Sequence, residues 1–220
     1  VFAARIDSPL GEAPYQGAID DFNGDNIPDL AVALTGLGET YGPGRLALLT
    51  GHAGGSFQIS SYIPVGANPF GVASGDFNAD GKRDLAATNA LSASVSVLLG
   101  AGDGTFAGGR EYAVGDLPSF VAVADLNRDG MLDLAITNSI PGYPGSNDVS
   151  VLLGLGDGTF APERRVTTGE GPVAVVVGDL DGDGMQDLAV VNNSSGDVSV
   201  LLGRGDGSFN PQSRYPVGDG

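Results

Sequence analysis

Four times along this chain, four oxygen-bearing side chains alternate over nine residues and then give way to an apolar run. The last copy is Asp179-Leu-Asp-Gly-Asp-Gly-Met-Gln-Asp187, followed by Leu-Ala-Val-Val. The others are Asp21-Phe-Asn-Gly-Asp-Asn-Ile-Pro-Asp29, Asp76-Phe-Asn-Ala-Asp-Gly-Lys-Arg-Asp84 and Asp125-Leu-Asn-Arg-Asp-Gly-Met-Leu-Asp133, each leading into Leu-Ala. Alternation gathers the side-chain oxygens of positions 1, 3, 5 and 9 on the concave side of a tight turn. That is the arrangement a hard cation needs, since Ca²⁺ takes about six to eight oxygen ligands in a flexible cage. Position 7 can add its backbone carbonyl whatever its side chain.

The candidate ligands are therefore Asp21, Asn23, Asp25, Ile27 and Asp29; Asp76, Asn78, Asp80, Lys82 and Asp84; Asp125, Asn127, Asp129, Met131 and Asp133; and Asp179, Asp181, Asp183, Met185 and Asp187. Gly81, Gly130 and Gly184 at position 6 supply the positive φ that such a turn requires, and Asn26 takes that place in the first loop. An EF-hand opens with the same spacing but requires a bidentate Glu at position 12, where this chain has Val32, Ala87, Ile136 and Val190. Mg²⁺ fits less well, because it retains several waters and takes fewer protein ligands. The competing reading is a turn whose Asp side chains satisfy their own backbone without metal; four copies in register favour about four structural Ca²⁺ ions.

The loops start at residues 21, 76, 125 and 179. After each comes a second marker: Leu46-Ala-Leu-Leu-Thr-Gly, then Val95-Ser-Val-Leu-Leu-Gly, Val149-Ser-Val-Leu-Leu-Gly and Val198-Ser-Val-Leu-Leu-Gly. A turn and an aromatic follow, as Gly102-Asp-Gly-Thr-Phe106, Gly156-Asp-Gly-Thr-Phe160 and Gly205-Asp-Gly-Ser-Phe209, with Ala53-Gly-Gly-Ser-Phe57 in the first copy. The interval from that aromatic to the next loop is constant, Phe2 to Asp21, Phe57 to Asp76, Phe106 to Asp125 and Phe160 to Asp179. Short β-branched runs between Gly and Pro turns, with no sustained helical periodicity, predict four strands per unit. A period of about fifty residues is the size of a propeller blade.

The fold class expected is all-β, a β-propeller of four-stranded antiparallel blades. Residues 1–220 form a single array, with repeats at about 11–57, 66–106, 115–160 and 169–209 and outer strands at 2–10 and 209–218. In such up-and-down blades the cation loops and the Gly-Asp-Gly turns share one face. The outer-strand piece at both ends predicts either a segment of a longer array or a strand completing a blade on a neighbouring molecule.

Together these residues resemble the integrin-type propeller built from FG-GAP or VCBS repeats, across essentially the whole chain. The resemblance rests on Asp-x-Asn/Asp-x-Asp-Gly-x-x-Asp-Leu combined with Val-x-Val-Leu-Leu-Gly-x-Gly-Asp-Gly-x-Phe. It implies four-stranded blades around an axis, Ca²⁺ between strands one and two, and roles in adhesion, carbohydrate binding or protein interaction outside the cell. Such propellers usually close with seven blades; this chain carries four repeats, part of a seven-bladed ring or of a ring completed between chains.

The formal charge of −17 repels a nucleic-acid backbone and an anionic membrane surface alike, and no apolar run is long enough for a spanning helix. No cysteine, a single His52 and no Ser/His/acid arrangement remove the usual nucleophilic sets, so no enzyme is expected. Calcium at about millimolar levels points to an extracellular or cell-surface setting. The partners expected are a protein or a glycan of the cell surface or matrix, with self-assembly through the outer strands. Tyr41 and Tyr143, on the longer connections, are candidate ligand contacts. Arg204-Gly-Asp206 spells an adhesion tripeptide but occupies the repeat's ordinary turn, and Asn192 and Asn193 each begin a glycosylation sequon.

Overall fold

The computed structural model describes residues 10, 13–35, 44–140, 142–143 and 145–218. Among them there are sixteen strands and no helix, hence none long and apolar enough to cross a membrane. They form four antiparallel sheets of four consecutive strands. The first contains β1 (Ala13–Asp20), β2 (Asp29–Thr35), β3 (Gly44–His52) and β4 (Ser56–Val65). The second contains β5 (Pro69–Gly75), β6 (Asp84–Asn89), β7 (Ser94–Leu98) and β8 (Arg110–Ala113). The third contains β9 (Pro118–Ala124), β10 (Asp133–Asn138), β11 (Asp148–Leu152) and β12 (Arg164–Thr167). The fourth contains β13 (Pro172–Gly178), β14 (Asp187–Asn192), β15 (Asp197–Leu201) and β16 (Ser213–Pro216). Each sheet is a blade, and the inner strands β1, β5, β9 and β13 pack side by side in that order. The outer strand expected at 2–10 lies outside the described residues, apart from Leu10.

Period-two alternation explains how the blades stack. Along β6, Leu85 and Ala87 face the first blade, where they meet Ala31, Ala33, Leu46 and Leu48. Ala86 points the other way, with Val95 and Val97, onto Val121, Leu134, Ile136 and Leu152 of the third blade. The third blade's Ala135, Val149 and Val151 repeat the pattern against Val175, Leu188, Val190 and Leu201 of the fourth. A strand buried on both faces reads as an unbroken apolar run, which is why Leu-Ala is followed by further small apolar residues. Ala on one face and Leu on the other lets successive sheets approach closely.

The inner strands are bulged near their first residues, between Pro69 and Val72 in β5, and a Thr hydroxyl takes up the displaced backbone. Thr88 accepts from Gly71 N at 2.7 Å and donates to the carbonyl of Ser119 in the next blade at 2.7 Å. Thr137 accepts from Phe120 N at 3.1 Å. The neighbouring Asn89, Asn138 and Asn192 donate through Nδ2 to Ser96, Ser150 and Ser199. Those hydroxyls also accept from Gly66, Gly115 and Gly169, the residues where each chain crosses from one blade to the next.

The row of blades is open at the fourth. Val149, Val151 and Thr137 of the third blade are fully buried, whereas their counterparts Val198 and Val200 are half-buried and Val191 is 43% exposed. Val176, on the same face, is 62% exposed.

Candidate metal centre

Each acidic loop joins an inner strand to the strand beside it, β1 to β2, β5 to β6, β9 to β10 and β13 to β14. Position 1 organises the turn. Asp21 accepts from Gly24 N at 2.7 Å, Asp25 N at 3.2 Å and Asn26 N at 2.8 Å. Asp179 accepts from Gly182 N at 2.7 Å and Gly184 N at 3.0 Å. Positions 3 and 5 each accept from the amide two residues on, as when Asn127 binds Asp129 N at 3.0 Å and Asp129 binds Met131 N at 2.8 Å. Such Asx-type turns preset the loop. Two residues per loop, not one, are left-handed: position 6 as expected (Gly81 φ 81°, Asn26 φ 62°), and position 4 as well, where Ala79 (φ 57°) and Arg128 (φ 64°) tolerate it alongside Gly24 and Gly182.

Position 9 does more than offer a ligand. Asp29, Asp84, Asp133 and Asp187 are buried, at 0–1% exposure, and each carboxylate binds two backbone amides. One is at position 2 of its own loop: Phe22, Phe77, Leu126 and Leu180 donate at 2.8–3.1 Å. The other belongs to a glycine at the exit of the third strand, Gly51 near the end of β3 and Gly100, Gly154 and Gly203 two residues past β7, β11 and β15, which donate at 2.7–2.8 Å. A Cβ on any of those glycines would stand 2.0–2.3 Å from the carbonyl oxygen of position 8, so the Leu-Leu-Gly marker ends in the one residue that fits.

The loop is also clamped by the following blade. Gly104 N donates to Phe22 O and Gly158 N to Phe77 O, both at 2.9 Å. Phe22 meets Phe106, and Phe77 meets Phe160, edge to face at 5.7 and 5.6 Å. This contact ties each turn aromatic to the loop of the preceding blade, and it puts the cation loops and Gly-Asp-Gly turns on one face. In the first blade the strands continue through Gly51 opposite Phe57 into a tight hairpin, the counterpart of Gly100 opposite Phe106.

Carboxylate oxygens of Asp179, Asp181 and Asp187 lie within 4.8 Å of one another. Two oxygens bound to one Ca²⁺ at about 2.3–2.6 Å can be at most about 5 Å apart, so this cluster can hold a metal ion. Each Asp187 oxygen still has a lone pair after accepting its amide. In the other three loops position 3 is Asn, whose Oδ1 occupies the place of Asp181 Oδ1 in the same turn. The amides of Ile27, Lys82, Met131 and Met185 all donate to position 5.

Burial pushes the Asp133 carboxyl up from 3.8 to about 6; Asp129 and Asp125 add to this, and the amides of Gly154 and Leu126 oppose it. Asp84 is raised in the same way, with Asp80 and Asp76 contributing. Desolvation also acts on Asp21, yet the amides of Asn26, Gly24 and Asp25 outweigh it and hold the carboxyl below its ordinary value. The second and third loops thus carry at their base a carboxylate that burial makes costly to ionise.

The sequence matches the FG-GAP-like repeat family over residues 21–87, 76–136, 139–190 and 179–220. The chain belongs to this family. No curated protein matches it significantly. A Pseudomonas aeruginosa periplasmic gluconolactonase is 21% identical over 94% of this chain and 58% of its own, with a TM-score of 0.65. A Desulfotomaculum acetoxidans protein described as functionally unknown is 17% identical over 91% of this chain and 56% of its own, with a TM-score of 0.62. A Photorhabdus luminescens Tc holotoxin pore (20% identity, 99% of this chain, 10% of that one) superposes at a TM-score of only 0.46 and carries no argument. This FG-GAP array therefore spans just over half the length of the two better-fitting chains. The gluconolactonase corrects one expectation. Its fold is the same and it is an enzyme, so the lack of a Ser/His/acid set does not class this chain as a non-enzyme; at 21% identity the likeness itself shows fold alone.

Of the remaining candidates, Tyr143 is 66% exposed on a tight turn bridged to Ile140, beyond the end of β10 opposite the third metal loop, and Tyr41 lies outside the described residues. Arg204-Gly-Asp206 closes with Arg204 N bonded to Ser208 O, as Ala101 N bonds Thr105 O and Leu155 N bonds Thr159 O. Asn192 is buried at 1%, so of the two sequons only that of Asn193 is exposed.

The raised Asp133 carboxyl has a definite pH consequence. A carboxyl whose folded value lies above its ordinary value destabilises the fold once ionised, so in EDTA its contribution is favourable below about pH 4 and is lost as pH rises through about 6. Thermal melts in EDTA from pH 4 to 7 should fall less steeply for Asp133→Asn than for the parent, and added CaCl₂ should flatten the parent's slope. Identical slopes in parent and variant would contradict the assignment.

Proposed function

We propose that the chain is a calcium-stabilised binding module of the cell exterior or cell surface, in which each of the four loops holds one structural Ca²⁺ through positions 1, 3, 5 and 9 and the position 7 carbonyl. The observation that carries this reading is the buried carboxylate at position 9, set beside Asp179 and Asp181 in the fourth loop and repeated in register in the other three. A divalent ion neutralises that carboxylate where burial opposes its charge, and it holds inner strand, second strand and third-strand glycine together. The affinity expected is that of extracellular modules, with Kd of about 10⁻⁴–10⁻³ M. The partners proposed are proteins or glycans of the cell surface or matrix.

A second reading, assembly of blades between molecules, is favoured by the open apolar face of the fourth blade. The occupant that fits is a first blade of a second copy, presenting Leu30 and Val32 to Val191, Val198 and Val200 as the internal interfaces do. Sedimentation should then show concentration-dependent mass that Val191→Lys abolishes; a monomer at all concentrations rules it out.

For the calcium reading, a site held at 100 times its Kd adds about 2.7 kcal/mol. Transfer from 10 mM CaCl₂ to EDTA empties all four proposed sites, so Tm should fall by at least about 10 °C, with Asp187→Ala reducing the shift. A melt indifferent to calcium would sink the reading.

A further inference from the structure

We propose that the groove between the outer strand of the third blade and the Gly-Asp-Gly turn of the fourth binds an acidic sugar residue, a uronate within a glycan. The groove has a volume of about 530 Å³, within the about 300–1,000 Å³ of small-ligand sites. Its charge is opposite to that of the molecule. Arg164, Arg165 and Arg204 line it, three of the chain's ten Lys and Arg residues, and none of the 27 Asp and Glu residues does.

Two of the three guanidinium groups are available to an anion. Arg165 is paired with Asp148 at 3.0 Å and lies 3.7 Å from Glu163. Arg164 donates to the backbone carbonyl of Asp206 at 3.1 Å, and Arg204 donates through Nε to the Asn210 amide oxygen at 2.8 Å. Both partners are uncharged. The neighbouring Asp206 carboxylate feels the charge of Arg164 but bonds within its own loop, where Oδ1 accepts from Ser208 N at 2.9 Å and Ser208 Oγ at 2.5 Å. Guanidinium planes match carboxylates in two-point geometry, and each Arg is already oriented by one hydrogen bond.

The remaining lining selects the kind of anion. Val166, Phe209 and Pro211 form an apolar floor, and Ser208, Asn210 and Gln212 add hydroxyl and amide groups beside it. An apolar floor with such groups at its edge suits the C–H face and the hydroxyls of a pyranose ring. An extended acidic peptide would have to pair with the edge of β12, which is only four residues long and too short to hold a register.

The fold itself does not impose this chemistry. The equivalent groove between the first blade's outer strand and the second blade's turn has a volume of about 500 Å³, contains no Lys or Arg, and includes Asp103. The proposal is independent of how the cation loops are filled.

The test is calorimetric titration of the whole chain, at fixed 1 mM CaCl₂, with a galacturonic acid trisaccharide, its methyl ester, a neutral glucose trisaccharide and a poly-glutamate peptide. The acid form is expected to bind, with affinity falling as NaCl rises from 50 to 500 mM. The ester and the neutral sugar should bind at least tenfold more weakly. Arg164→Gln and Arg204→Gln should each weaken binding about tenfold with melting unchanged, while Arg110→Gln, on the second blade's outer strand, should leave it intact. Equal affinity for acid and ester, indifference to both arginine variants, or binding of the peptide alone would overturn the proposal. Sugar binding that requires calcium and ignores both arginines would place the ligand on the cation loops and also overturn it.

Discussion

Everything in this array hangs on the buried carboxylate at the end of each acidic loop. Asp29, Asp84, Asp133 and Asp187 take one amide from the loop and one from the third strand's glycine, so three strands of a blade meet at a single side chain. An ionised carboxylate accepting two amides is well solvated by protein, yet at Asp84 and Asp133 burial and the other loop carboxylates still oppose its charge. The proposed cation would offset that charge while leaving both amides bonded to the carboxylate.

Coupling between blades follows from the same loops. In the first two loops the position 2 carbonyl accepts from the next blade's turn and the position 2 Phe packs on the next blade's Phe, so ordering either loop also seats its neighbour. Stability is then a sum of blade and interface terms passed along a row. The fourth blade differs because its far face has no neighbour among the described residues, leaving Val176 and Val191 in water.

Much of this was legible in the sequence, because each repeated feature is local. Alternating oxygens, the position 6 glycine and the strand alternation are all short-range constraints, and four copies average out the noise in any one. What escaped was non-local. The Leu-Leu-Gly glycine is needed because an added Cβ would stand 2.0–2.3 Å from the position 8 carbonyl oxygen of its own blade's loop, a cross-strand approach that periodicity does not register. Ala79 and Arg128 adopt left-handed backbone against their type, a cost met by the surrounding amide network rather than by propensity. Asn192 begins a sequon but is buried by its bonds to Asp197 and Ser199. The arginine groove escaped for the opposite reason, since Arg164 and Arg204 lie in different repeats and each occupies a position that periodicity treats as interchangeable.

The most direct test of the central claim is a crystal structure grown in calcium and phased to reveal anomalous scatterers. The account predicts one peak in each of the four loops, at about 2.3–2.6 Å from the position 9 carboxylate, with the amides of positions 2 and the third-strand glycines still bonded to that carboxylate. Loops without peaks, with the position 9 side chain satisfied by those amides alone, would contradict it.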